Sequence, residues 1–111
     1  MNIGILLTTS PENQNTFSVY QLTSALIGAR HTVDIFLMDD GVFNAIVNQS
    51  KRKLFSKFDE LLKKKVNISL CAMSAESRGL ASEDLLPGIG YSSQTELSEI
   101  VKKCDRFLSF G

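Results

Sequence analysis

The residue of this chain best suited to chemistry is Cys71, which ends the apolar run Val66 to Cys71 and directly precedes Ala72 to Arg78, a stretch with helix-compatible composition. At such a strand-to-helix junction a side chain lies beside the unpaired amides of the first helical turn, and those amides favour negative charge. Thiolate, not thiol, attacks a sulfur donor, so the position suits thiol-based sulfur transfer. A persulfide formed there would also be held as an anion until an acceptor thiolate took its outer sulfur. Arg78 adds a positive charge to the same turn, Glu76 opposes it, and Gly79 can supply the left-handed residue that ends a short helix. The competing role is a buried cysteine acting as a small hydrophobe at a strand end.

Other candidate groups have simpler roles. Cys104 shares an i, i+3, i+4, i+7 stripe with Leu97, Ile100 and Val101, which predicts core packing rather than a resolving thiol. His31 is the only histidine and follows Gly28-Ala29-Arg30 at a helix end, so a Cys-His pair would depend entirely on distance. Asp39 and Asp40 are two adjacent carboxylates without further oxygen ligands, a pattern of turns more than of metal sites, and no zinc spacing occurs. The hydroxyl-rich loop Thr8-Thr9-Ser10 with Asn15-Thr16 leaves open a second reading, a flavodoxin-like domain holding the phosphate of a flavin or another nucleotide. That loop has no glycine, and neither a dinucleotide fingerprint nor a Walker pattern is present.

The elements that must position these groups follow from periodicity. Ile3 to Thr8 is predicted as a buried strand, Thr16 to about Ala29 as a helix, and Thr32 to Met38 as a second strand closed by Asp39-Asp40-Gly41. Val42 to Val47 is expected as a short helix. Leu54, Phe58, Leu61 and Leu62 share one side of a further helix from about Lys51 to Lys65. After the cysteine loop come an irregular stretch with a short strand near Ile89 to Tyr91, a helix behind a Ser93/Glu96 capping box, and a last strand from Arg106 to Phe110. Strands alternating with helices imply crossover connections, so the expected fold is a three-layer α/β/α sandwich with a mostly parallel sheet of about five strands. In such sheets reactive groups gather at the carboxyl ends of the strands, which singles out Thr9 to Asn15, Asp39 to Asn44 and Cys71 to Gly79.

Composition bounds the alternatives. A chain of 111 residues, 43% hydrophobic and 22% charged, predicts one domain, residues 1–111, with its own core. Twelve basic and twelve acidic residues cancel, which argues against nucleic acid or an anionic membrane as a direct partner. Met1 to Thr8 lacks the basic leader and cleavage site of a signal peptide, and no apolar stretch approaches the ~20 residues of a membrane span. Two cysteines in such a chain point to a reducing, cytoplasmic setting with free thiols.

Several segments together resemble the DsrE/TusD (DsrE/F-like) sulfur-relay family. Ser69-Leu70-Cys71-Ala72-Met73-Ser74-Ala75-Glu76-Ser77-Arg78-Gly79-Leu80 is similar to its active-site pattern of apolar strand, cysteine, small residues and Arg-Gly. Ile3 to Thr9 with Pro11, Gln21 to Ile27, and Asp40-Gly41-Val42-Phe43-Asn44-Ala45 resemble its first strand and loop, its first helix and its Gly-Val-aromatic-Asn-Ala segment. Lys103-Cys104-Asp105-Arg106-Phe107, with Gly90, Leu97 and Phe110, resembles the end of TusD-type subunits. The resemblance implies an α/β sandwich in which Cys71 accepts persulfide sulfur, while Ser74, Arg78 and Gly79 shape its loop or stabilise the thiolate. It implies a sulfurtransferase with no cofactor and no metal, serving tRNA thiolation or dissimilatory sulfur metabolism. The implied partners are sulfur-donor and sulfur-acceptor proteins, in homo-oligomers or in hetero-oligomers with related subunits. A subunit whose cysteine does no chemistry and which only assembles active partners remains a further alternative, with Phe36, Phe43, Tyr91 and Leu85-Leu86 as contact surface.

Overall fold

Among the described residues, short branched apolar runs separated by amphipathic segments produce five strands: β1 (Asn2–Leu7), β2 (Thr32–Leu37), β3 (Asn67–Cys71), β4 (Gly90–Ser92) and β5 (Arg106–Phe110). The computed structural model describes residues 1–46 and 57–111. All five strands belong to one sheet in the order β4-β3-β2-β1-β5, and every neighbouring pair is parallel. Parallel neighbours require crossovers, and α1 (Gln14–Gly28), α2 (Phe58–Lys63), α3 (Ala72–Ser77) and α4 (Gln94–Lys103) lie between successive strands. The α/β sandwich read from the alternation is thus the observed fold.

Alternation along each strand divides the side chains between two unequal layers. Ile3, Ile5, Leu7, Val33, Ile35, Leu37, Ile68 and Leu70 form the main core with Val19 of α1 and Phe58 and Leu61 of α2. The other face carries a thinner cluster of Phe36, Cys71 and Ile100, flanked by Leu6, Met38 and Leu97. Helix α4 can lie directly on β1 because Gly4 has no side chain: a Cβ there would stand 2.8 Å from Cγ2 of Ile100.

Local chemistry accounts for the differences from expectation. Helix α1 begins two residues early, at Gln14, because the Asn13 carboxamide caps it by accepting from the Asn15 amide at 2.9 Å. The expected helix after β2 is a 3-10 segment, Asp39–Ala45. Val47 and the first part of the expected Lys51 to Lys65 helix, with Leu54, lie outside the described residues. Ser93 caps α4 by accepting from the Thr95 amide at 3.3 Å, and the reciprocal Glu96 bond of a capping box is not formed. Val101 leaves the predicted stripe and is 48% exposed, since α4 rests on the sheet through Leu97 and Ile100, with its C-cap Cys104 beside Gly4. Phe36 and Leu85, expected as possible contact surface, are core residues.

The loops at the carboxyl ends of β1 and β2 are clamped by one buried side chain. Asn44 accepts from the Thr16 hydroxyl at 2.9 Å and donates to the carbonyls of Thr9 and Gly41, each at 3.0 Å. Asn44→Ala would leave those groups buried without that partner, at a cost of about 2–3 kcal/mol by the usual scale for buried unsatisfied groups. Urea unfolding of the two proteins checks this, and a change below ~0.5 kcal/mol, the size of an ordinary surface substitution, would contradict it.

Candidate functional site

In β3 the residues Ile68 and Leu70 enter the main core, so Ser69 and Cys71 must leave the opposite face. Cys71 ends the strand and is the N-cap residue of α3, but its side chain makes no capping hydrogen bond. It is 4% exposed and packs with Phe36 and Ile100, with Leu6, Met38 and Leu97 around them. Ser92 of β4 stands beside it in register. Gln94, the first residue of α4, directs its side-chain amide at the Met38 sulfur at 3.5 Å. The thiol therefore lies at the carboxyl end of the sheet, under a thin apolar cover that belongs to the end of β2 and the start of α4.

Two of the three loop residues, Ser74 and Arg78, meet the segment that follows β2. The Ser74 hydroxyl accepts from the Asp39 amide at 3.1 Å, and Asp39 holds a left-handed φ of 52° that non-glycine residues seldom adopt. Arg78 donates through Nε to Oδ1 of Asp40 at 2.8 Å, and through Nη1 to the Ser74 carbonyl at 3.1 Å and the Ser77 hydroxyl at 3.2 Å. Gly79, at φ 75°, takes the left-handed conformation that lets the chain leave α3. These bonds tie α3 to the segment after β2. The guanidinium is directed at Asp40 and the end of α3, and the expected turn at Asp39-Asp40 acquires its partner in Arg78. Glu76 accepts from the Tyr91 hydroxyl at 3.3 Å, joining α3 to β4. Partial desolvation, then the charge of Glu76, holds the Tyr91 phenol above its ordinary value.

The rival groups lie elsewhere. His31 precedes β2 at the amino-terminal edge of the sheet, where its Nδ1 is 2.9 Å from the Met1 amine, so it is at the opposite end from Cys71. Both cysteines are free, and Cys104 is half-buried with its Sγ 3.6 Å from the Val101 carbonyl. Among the described residues no three His, Cys, Asp or Glu side chains converge as metal ligands. In the Thr8 to Asn15 loop, Asn13 already caps α1, and the Ser10 hydroxyl bonds Glu12 at 2.5 Å, which holds that carboxyl below its usual range. An anionic side chain thus occupies one of the hydroxyls of the loop that the flavin reading relies on. An open cleft of about 550 Å³, lined by Leu62, Lys63, Lys65, Val66 and Pro87, lies at the amino-terminal end of β3, away from the thiol. Among the described residues no helix is long and apolar enough to cross a membrane.

Sequence reasoning did not set Ser69 beside Cys71, and it gave Leu97 to core packing without showing that Leu97, Met38 and Gln94 lie around the thiol. Period-two alternation through Ser69-Leu70-Cys71 was a signal for the first. Nothing local announces the cover, which the α4 crossover assembles.

The sequence matches the model of the DsrE/DsrF-like family over residues 1–110. This chain belongs to the DsrE/DsrF-like family. That membership supports a role connected with sulfur relay. No curated protein matches the sequence. Among solved structures, the YchN protein of E. coli superposes with a TM-score of 0.86 at 20% identity, covering 98% of this chain and 97% of that one. A conserved protein of unknown function from Bacteroides thetaiotaomicron gives 0.71 at 23% identity, covering 98% and 94%. A protein of unknown function from Methanobacterium thermoautotrophicum gives 0.69 at 14%, covering 96% and 97%. At these identities the likeness establishes the shared DsrE-like fold.

The Arg78–Asp40 pair is exposed on the Asp40 side, with 58% of that side chain accessible. Asp40→Asn should therefore cost no more than about 1 kcal/mol in low salt, and the loss should largely vanish near ~1 M salt, where screening is strong. Denaturant titrations at both ionic strengths measure it. A loss of several kcal/mol, or one indifferent to salt, would refute the surface-pair description.

Proposed function

We propose that this DsrE/DsrF-like chain is a sulfur-relay subunit in which Cys71 accepts and passes on persulfide sulfur. The single observation that carries the reading is the placement of a free cysteine at the carboxyl end of β3, at the head of α3, in a chain whose family match spans residues 1–110. In the reaction, the Cys71 thiolate attacks the outer sulfur of a donor persulfide. A new S–S bond forms at Cys71, the donor's S–S bond breaks, and the donor cysteine leaves as thiolate. The second half repeats the exchange, with an acceptor thiolate as nucleophile and Cys71 as leaving group. No net oxidation occurs, and no metal or organic cofactor is needed. The partners are sulfur-donor and sulfur-acceptor proteins, and related subunits in a homo- or hetero-oligomer suit the same reading.

Sulfur exchange needs two sulfurs at bonding distance. With Cys71 at 4% exposure, the cover of Met38, Leu97 and Gln94 has to part before a donor reaches it. The same burial favours a second reading, in which the cysteine is core and the subunit serves only to assemble active partners. The two are separated by incubating the protein with a cysteine desulfurase and cysteine and following intact mass. Wild type and Cys104→Ser should each gain one reductant-labile sulfur atom, whereas Cys71→Ser should gain none. Equal loading of wild type and Cys71→Ser would rule out the carrier reading. A wild type that takes up no sulfur but co-purifies stoichiometrically with a related cysteine-bearing subunit would support the second. A small thiol reagent should label folded Cys71 at least ~10-fold more slowly than the urea-unfolded chain, because reaction waits on local opening; equal rates would contradict the covered geometry.

A further inference from the structure

Ser69 is, like Cys71, 4% exposed, and among the described residues its hydroxyl is buried without a hydrogen-bond partner. Two residues apart on β3, the two side chains leave the same face of the sheet and are adjacent along it. The residues paired with Ser69 are Phe36 of β2 and Gly90 of β4, and neither offers a side-chain acceptor. A buried hydroxyl left alone is costly, and such groups are nearly always satisfied in native proteins. The two groups nearest along its own strand face are Asn67, whose carboxamide is turned to Asp34 at 3.0 Å, and the thiol proposed to carry sulfur.

We propose that Ser69 holds the carried sulfur, its O–H donating a hydrogen bond to the outer sulfur of a Cys71 persulfide; this rests on the carrier reading above. Residues two apart on a strand are separated by about 6.6 Å. An S–S bond spans about 2.05 Å of that. The remaining ~4.5 Å closes to hydrogen-bonding length when the two side chains lean toward each other along the strand, which staggered χ1 rotamers permit. In that pose the outer sulfur stays beneath α4, sheltered from solvent thiols. The hydroxyl keeps its proton throughout. When an acceptor thiolate takes the outer sulfur, the new S–S bond forms, the Cys71 bond breaks, and Ser69 returns to its unpartnered state.

The unloaded and loaded proteins should therefore respond in opposite ways to Ser69→Ala. Unloaded, the variant loses only an unsatisfied hydroxyl and should unfold at the wild-type temperature or above it. Loaded with a cysteine desulfurase and cysteine, freed of donor and exposed to limiting dithiothreitol, it should lose its sulfur about tenfold faster than wild type, the value of one hydrogen bond to a charged group. A role confined to packing would not produce this split. A wild type that never loads defeats the carrier reading and this inference with it. A wild type that loads while Ser69→Ala keeps its sulfur equally long overturns this inference alone. A variant that unfolds below wild type, or does not fold, shows the hydroxyl already satisfied and overturns it too.

Discussion

The structure turns on the two-residue period of β3, which sends Ile68 and Leu70 into one layer and Ser69 and Cys71 into the other. The first layer is thick, built by α1 and α2 against three strands, and it supplies most of the apolar burial. The second is thin, with α4 resting on the sheet through Ile100 and Leu97. A slip of one residue would bury the thiol in the main core and put a leucine at the head of α3. The site exists because the register is fixed by the apolar face, and the register is fixed because that face is the larger.

Around the thiol, polar groups act on backbone more than on sulfur. Asn44 joins the loop after β1 to the segment after β2; Ser74 and Arg78 join that segment to α3; Tyr91 and Glu76 join α3 to β4. The result is a chain of ties along the carboxyl edge of the sheet, of which the Arg78–Asp40 and Tyr91–Glu76 ties are exposed enough to contribute little stability singly. Their joint effect is positional, holding the end of β3 and the first turn of α3 in one arrangement. The cover over Cys71 is of a different kind, made of flexible Met38, a half-buried Leu97 and an exposed Gln94. Rigid on one side and soft on the other suits a group that has to be both sheltered and reached.

Much of this was legible in the residues. Branched runs such as Ile3 to Leu7 and Val66 to Cys71 announced strands, the alternation with helices announced a parallel sheet, and Gly79 announced a left-handed exit from α3. The Asp40-Gly41-Val42-Phe43-Asn44-Ala45 segment was recognisable as a pattern, but its reason, a buried carboxamide holding two loops, needs residues far apart in sequence. Arg78 read as a cation near sulfur, whereas its guanidinium bonds Asp40, because a charge with a carboxylate within reach pairs with it. Val101 fits a helical stripe on paper; α4 meets only a narrow strip of sheet, so the outer member of the stripe stays exposed. The burial of Cys71 stood in the sequence only as the competing role of a small hydrophobe, and its cover could not be read there, since the helix that supplies it begins more than twenty residues later.

The account stands on Cys71 as the site where sulfur resides. The most direct measurement is peptide-level mass spectrometry of protein isolated from cells without reductant and alkylated at once. The account predicts an additional sulfur on the peptide bearing Cys71 and none on the peptide bearing Cys104; sulfur found only at Cys104, or at neither cysteine, would contradict it.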